Sequence, residues 1–249
     1  MTTRALTAAR PGPVALSVDL PAGDIKVITD ASRTVAEVTV SARGDDPAVH
    51  DAVRGAMLRC DESTGTLTVR VESPAGGVTI TGAGGVTITG NVIAGTVVNI
   101  GGRVLVNGME VPAGTVAGGR VEITAHVPEG STVAAFTRSA PLACSGEFAE
   151  VDFTSVSGDL TVGGVGALRV KTTSGDVSAA VVDGAAVVRS VSGDVYLGRA
   201  DDVYALTTSG DVTVNDFARA APGWRRSQVT SGCAPPRAAT SGSGRCRGM

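Results

Sequence analysis

The chain is poor in the residues that usually do chemistry. Its 249 residues include two His, four Cys, two Lys and seven aromatics, of which four are Phe, two Tyr and one Trp. His50 and His126 have no Cys, Asp or second His at ligand spacing, so both read as structural rather than as metal ligands or general bases. Cys60, Cys144, Cys233 and Cys246 are irregularly spaced and no C-x-x-C occurs, which excludes a disulfide framework and a zinc site of the usual spacing. No run reaches the roughly 18 apolar residues of a membrane span. The N-terminus, Met1–Pro11, lacks the apolar stretch of about 7–15 residues of a secretory signal. On those grounds the expected location is the cytoplasm, with the cell surface as the alternative. A net charge of −3 excludes a protein that coats nucleic acid by charge alone. Phosphate loops are absent too. No G-x-x-x-x-G-K-[ST] occurs, and Gly163-Gly164-Val165-Gly166 precedes no helix that would cap a phosphate. Arg43-Gly44-Asp45 spells the integrin tripeptide within a loop rich in those residue types, where chance supplies it.

What the chain does have is small aliphatic residues and glycine. Hydrophobic residues make up 43%, and Gly occupies 34 positions. A chain this apolar folds. Its core must be built from Val, Ile, Leu and Ala. The decisive feature is an internal repeat. Ser-Gly-Asp recurs at 157–159, 174–176, 192–194 and 209–211, at spacings of 17, 18 and 17 residues. Ahead of each copy apolar residues alternate: Val151 and Phe153, Leu168 and Val170, Ala186 and Val188, Val203 and Ala205. Behind each they alternate again. Leu160, Val177, Val195 and Val212 form one set, and Val162, Ala179, Leu197 and Val214 a second. Period-two alternation broken by Gly-Asp reads as strand, turn, strand.

A period of 17–18 residues is too short for a propeller blade or a helical repeat, and suits one coil of a β-helix. Successive coils would stack about 4.8 Å apart, with equivalent aliphatic residues in columns. The expected fold is therefore all-β, a β-helix or β-solenoid with one short N-terminal helix. The alternative is an antiparallel β-sandwich of hairpins, since Gly-Asp also suits a two-residue hairpin turn.

Three regions follow. Residues 1–75 read as mainly β, with one helix at about 46–57. Asp46 is its N-cap, Pro47 its first residue, and Val49, Ala52, Val53 and Ala56 its apolar stripe. Such a helix would cover the open end of a stack. Residues 76–217 read as the repeat solenoid. They open with a shorter repeat, Gly76-Gly77-Val78-Thr79-Ile80-Thr81-Gly82-Ala83, matched at seven of eight positions by 84–91. That stretch reads as early coils or as a β-ribbon laid against them. Residues 218–249 carry six Arg and no acid, leaving −9 on residues 1–217, and read as a basic tail without regular structure. An uncapped last coil near Val212-Thr213-Val214 would invite end-to-end self-association.

The recurring Asp159, Asp176, Asp194 and Asp211 are the best site candidates, because stacking would set them in a ladder. Ca²⁺ between rungs would relieve their repulsion, but the dense nonapeptide of Ca²⁺-binding rolls is absent. The reading that wins is a turn made by Gly158, Gly175, Gly193 and Gly210 with the following Asp in solvent, leaving no metal and no cofactor. Acids on one groove can also cleave glycosides. Such a groove needs aromatic platforms, and the repeats offer only Phe153, Tyr196 and Tyr204, with Phe153 in the inward phase.

With these motifs in hand, a resemblance is visible. The recurring [ST]-x-S-G-D-[LV], the segment Leu20-Pro21-Ala22-Gly23-Asp24-Ile25-Lys26-Val27 and the step Val127-Pro128-Glu129-Gly130-Ser131 resemble a bacterial domain-of-unknown-function family of β-strand-repeat proteins that carries an adhesin label. The resemblance spans about 14–217 and implies an all-β repeat fold with no catalytic residues. The expected function is a non-enzymatic β-repeat scaffold, adhesin-like, whose partner is a protein or glycan of unknown identity. The alternatives are a Ca²⁺-stabilised structural module and a carbohydrate-active β-helix.

Overall fold

A computed structural model of the chain describes residues 2–72 and 119–217, together with the backbone of short strands within 80–111 and 228–246. The first part comprises β1 (Thr3–Thr7), β2 (Ala15–Leu20), β3 (Asp24–Thr29), β4 (Glu37–Arg43), α1 (Pro47–Gly55), β5 (Met57–Asp61) and β6 (Thr66–Arg70). Five short strands follow: β7 (Ile80–Thr81), β8 (Thr87–Ile88), β9 (Val97–Ile100), β10 (Arg103–Val106) and β11 (Met109–Val111). Then come β12 (Arg120–Val127), β13 (Thr132–Thr137), β14 (Leu142–Thr154), β15 (Leu160–Lys171), β16 (Val177–Arg189), β17 (Val195–Leu206) and β18 (Val212–Phe217). Two further strands, β19 (Gln228–Thr230) and β20 (Gly244–Cys246), complete the order.

The architecture is a β-solenoid with two walls. Each long strand serves both, because the pairing register shifts midway, between Cys144 and Glu147 in β14 and between Val165 and Leu168 in β15. The first halves form one wall in the order β4, β12, β3, β14, β15, β16, β17, β18. The second halves form the other, in the order β6, β2, β13, β14, β15, β16, β17. Between repeat coils all pairing is parallel. That overturns the hairpin-sandwich alternative: consecutive hairpin strands pair antiparallel, whereas here each coil returns to the same wall one step further along.

The aliphatic columns lie in register through the stack. Ile25, Leu142, Leu160, Val177, Val195 and Val212 align on the first wall, each no more than 2% exposed. Leu16, Val133, Val151, Leu168, Ala186 and Val203 align on the second. Burying each Val or Leu side chain contributes roughly 1.5–3 kcal/mol, so these columns hold the walls together. Phe153, the largest buried side chain, has Ala135 beside it in its column, and the small neighbour makes room for the ring.

The first 72 residues belong to the same two walls, threaded out of sequence. β2 lies between β6 and β13, and β12 between β4 and β3. Three connections therefore cross from the second wall to the first on one side of the stack: β2 to β3, β6 to β12 and β13 to β14. The short repeat at 76–91 falls between β6 and β12, outside the described residues. The backbone strands β7 to β11 pair antiparallel and with one another.

The helix forms as its signals dictate. The Asp46 side chain accepts from the Ala48 N–H at 2.9 Å, Pro47 opens the first turn, and Val49 and Val53 are buried. It joins β4 of one wall to β5 at the edge of the other and packs against β1, β4 and β12. At the far end, β20 pairs antiparallel with β18 and β19 pairs with β17. The edge expected to stand open at Val212–Val214 is thus occupied by backbone of the same chain. The rest of the basic tail lies outside the described residues.

Glycine in the repeat turns has a different reason from the one the sequence suggested. None of Gly158, Gly175, Gly193 and Gly210 has a left-handed φ. A Cβ on Gly175 would lie 2.0 Å from the Gly158 carbonyl oxygen, and one on Gly193 would lie 2.0 Å from that of Gly175. Close stacking of backbone on backbone demands the missing side chain. Gly193→Ala is therefore expected to cost about 3 kcal/mol or more in urea unfolding. Gly55→Ala, with nothing within 4 Å of the added carbon, is expected to change stability by less than about 1 kcal/mol.

Candidate functional site

The Ser-Gly-Asp turns stack into a straight ridge along one side of the solenoid, and the structure brings all four candidate carboxylates onto it. Parallel pairing in register places Asp159, Asp176, Asp194 and Asp211 each immediately before a paired first-wall strand. Asp159, Asp176 and Asp194 are exposed and Asp211 is half-buried. Their side chains are not idle in solvent, as the sequence suggested. Asp159 Oδ1 accepts the Asp176 N–H at 2.9 Å, Asp176 Oδ1 that of Asp194 at 2.9 Å, and Asp194 Oδ1 that of Asp211 at 2.8 Å. The Asp main-chain carbonyls accept in the opposite direction, from Leu142, Leu160, Val177 and Val195, each at 2.8 Å. Asp159, Asp176 and Asp194 therefore each tie their own coil to both neighbours.

The flanking hydroxyls complete the turn. Ser155, Thr172, Ser190 and Thr207 are buried, and each side-chain oxygen accepts the N–H of the glycine three residues on, at 2.7–3.1 Å. Ser157, Ser174, Ser192 and Ser209 donate to carbonyls of the preceding turn at 3.2–3.3 Å. A hydroxyl residue is thus required at the first position of the motif, because a buried amide without an acceptor would be costly. Spacing alone did not assign that role to the first Ser or Thr. Its signal was the strict alternation of Ser and Thr at 155, 172, 190 and 207.

Two opposing terms set the ladder's balance. Like charges about 4.8 Å apart repel by roughly 0.9 kcal/mol in water, before salt screening. A hydrogen bond from a backbone N–H to a carboxylate typically contributes more than that, about 1.5 kcal/mol or above when sheltered. The bonds act against the repulsion between neighbouring carboxylates. The ladder also has a defined start. The position before Asp159 is Pro141, which has no N–H to donate, and Asp24 one coil earlier pairs instead with Arg120 at 2.8 Å. Among the described residues, no group of three or more His, Cys, Asp or Glu is placed to hold a metal ion.

The remaining sequence candidates are dispersed. Phe153 is fully buried, while Tyr196 and Tyr204 are exposed on the outer sides of different walls, so the ridge has no shared aromatic platform. His50 bonds Thr2 Oγ1 at 2.7 Å and the Gly44 carbonyl at 3.0 Å, which holds the helix to its neighbours. Arg43 of the Arg-Gly-Asp tripeptide is paired with Glu122. Cys144 is in the core, and burial pushes its thiol up to about 12, away from the reactive thiolate.

The family profile described as Toastrack DUF4097 matches residues 14–227. A search of curated proteins finds no match. Among solved structures, the chain is similar to a "putative adhesin" from Parabacteroides distasonis ATCC 8503, at 10% identity and a TM-score of 0.33, over 86% of this chain and 92% of that one. A second "putative adhesin", from Parabacteroides merdae ATCC 43184, matches at 7% identity and a TM-score of 0.29 over the same shares. Likenesses at this level carry no argument about activity.

Two substitutions separate the charge of the ladder from its hydrogen bond. Asp176→Asn keeps an acceptor oxygen and removes a repelling charge, so its urea midpoint is expected to match that of the wild type. Asp176→Ala leaves the Asp194 N–H without its acceptor and is expected to lower stability by about 1 kcal/mol. Added Ca²⁺ is expected to leave the midpoint of the wild type unchanged, and a rise would show that the ladder binds the ion.

Proposed function

The chain belongs to the Toastrack DUF4097 family, and on that premise we propose that it is a non-enzymatic scaffold that binds a protein or glycan partner along its outer surface. One observation carries the reading. The chemical groups that recur in the coils are engaged in the fold: three of the Asp carboxylates and the second Ser hydroxyls hold coil to coil, and the buried Ser and Thr hydroxyls close each turn. A carboxylate fixed as an acceptor for the next coil is poorly placed to serve as a general acid. What the repeats leave to the exterior is two long walls of outward side chains at regular spacing, the form in which solenoids present binding surfaces.

In the cytoplasm such a scaffold would act as an assembly or regulatory platform, and at the cell surface as an adhesin. Among the described residues, no helix is long and apolar enough to cross a membrane. The test uses the full chain immobilised against fractionated cytosol and cell envelope, with intact cells treated in parallel with external protease. Saturable retention of a defined component is expected, and the protease assigns the compartment. Polysaccharide turnover that Asp176→Asn removes would overturn the reading in favour of a carbohydrate-active enzyme.

A further inference from the structure

Many arginines of the fold are matched with acids: Arg33 with Glu37, Arg70 with Asp19, Arg120 with Asp24 and Arg199 with Asp183. One place on the second wall sets two cations side by side without such a match. Parallel register aligns Phe136, Thr154, Lys171, Arg189 and Leu206 in one outward column through β13 to β17. The next outward column holds Ala134, Asp152, Arg169, Val187 and Tyr204. Arg169 is paired with Glu150. Lys171 and Arg189 stand directly opposite one another and are exposed, and among the described residues neither side chain has a hydrogen-bond or ion-pair partner. Like charges facing each other across a strand pair are unfavourable. Here they occur within residues 1–217, which carry −9 overall.

Apolar side chains bracket the two cations. Phe136 is 48% exposed at one end of the strip, and Tyr204 and Leu206 are each 39% exposed at the other. From β13 to β17 is four interstrand steps, about 19 Å. We propose that this strip binds an acidic polysaccharide laid along the stack, its carboxylates on Lys171 and Arg189 and its ring faces against Phe136 and Tyr204. The inference rests on the scaffold reading and names its partner class. Arg189 offers a planar fork to a carboxylate and Lys171 a mobile point charge. Aromatic faces supply apolar contact that a purely charged ligand would not use. A linear polymer, unlike a compact anion, meets both cations and both rings at once.

The test is affinity electrophoresis of the full chain in gels containing polygalacturonate, neutral dextran or duplex DNA. Polygalacturonate is expected to retard the protein and dextran to leave it unaffected. The double variant Lys171→Glu, Arg189→Glu is expected to bind at least about tenfold more weakly, with unchanged circular dichroism and urea midpoint. The milder pair Lys171→Gln, Arg189→Gln provides the comparison if charge reversal disturbs folding. Phe136→Ala and Tyr204→Ala are each expected to weaken retardation severalfold. No retardation, equal retardation of the charge variants, or equally strong binding of DNA would overturn the proposal, the last by showing that charge alone acts. If the charge-reversed chain still retains its component in the fractionation experiment, the scaffold stands and the strip falls.

Discussion

The structure depends on how closely one turn can approach the next. At the Ser-Gly-Asp ridge, carbonyl oxygens of one coil occupy the space a Cβ of the following coil would need. Only glycine permits that approach. Once it is made, the next residue's amide falls within reach of the carboxylate one coil back. The aliphatic columns supply most of the stabilisation, but they are tolerant of Val, Leu and Ala exchange. The ridge is not tolerant, and it fixes the register that keeps the columns aligned.

From this constraint follow the two walls, the straight ridge and the surface left for binding. Because the ridge groups bond to one another, chemistry shifts to the outward columns, where residues are free to vary from coil to coil. The second wall uses that freedom to hold Lys171 and Arg189 together between exposed apolar side chains. On the first wall the corresponding outward column runs Lys26, Ala143, Thr161, Ser178 and Tyr196, with a single cation rather than two side by side.

Much of the fold was legible in the sequence, for a physical reason. A solenoid repeats its local environment, so the 17–18-residue period, the inward phase of Phe153 and the column partners of Leu160 and Val162 could be read directly. The helix was legible because Asp46, Pro47, Val49 and Val53 act within about two turns of each other. The threading of β2, β3, β6 and β12 was not legible, since strands that pair out of sequence leave no periodic trace. The ladder lay between these cases. The Asp positions were plain, but the acceptor role of each carboxylate depends on a neighbouring coil. The cationic strip was hidden for the same reason: Lys171 and Arg189 are 18 residues apart and become neighbours only through parallel register.

The central claim is that the carboxylates of Asp159, Asp176 and Asp194 each bind the amide of the next coil. Hydrogen exchange of the Asp176, Asp194 and Asp211 amides, followed residue by residue by NMR in the native protein, tests it most directly. These amides sit in turns at the surface, yet the account predicts strong protection, comparable to that of the Leu160 and Val177 amides that bond across the same coils. Exchange at the unprotected rate for Asp176 and Asp194, with Leu160 and Val177 still protected, would contradict it.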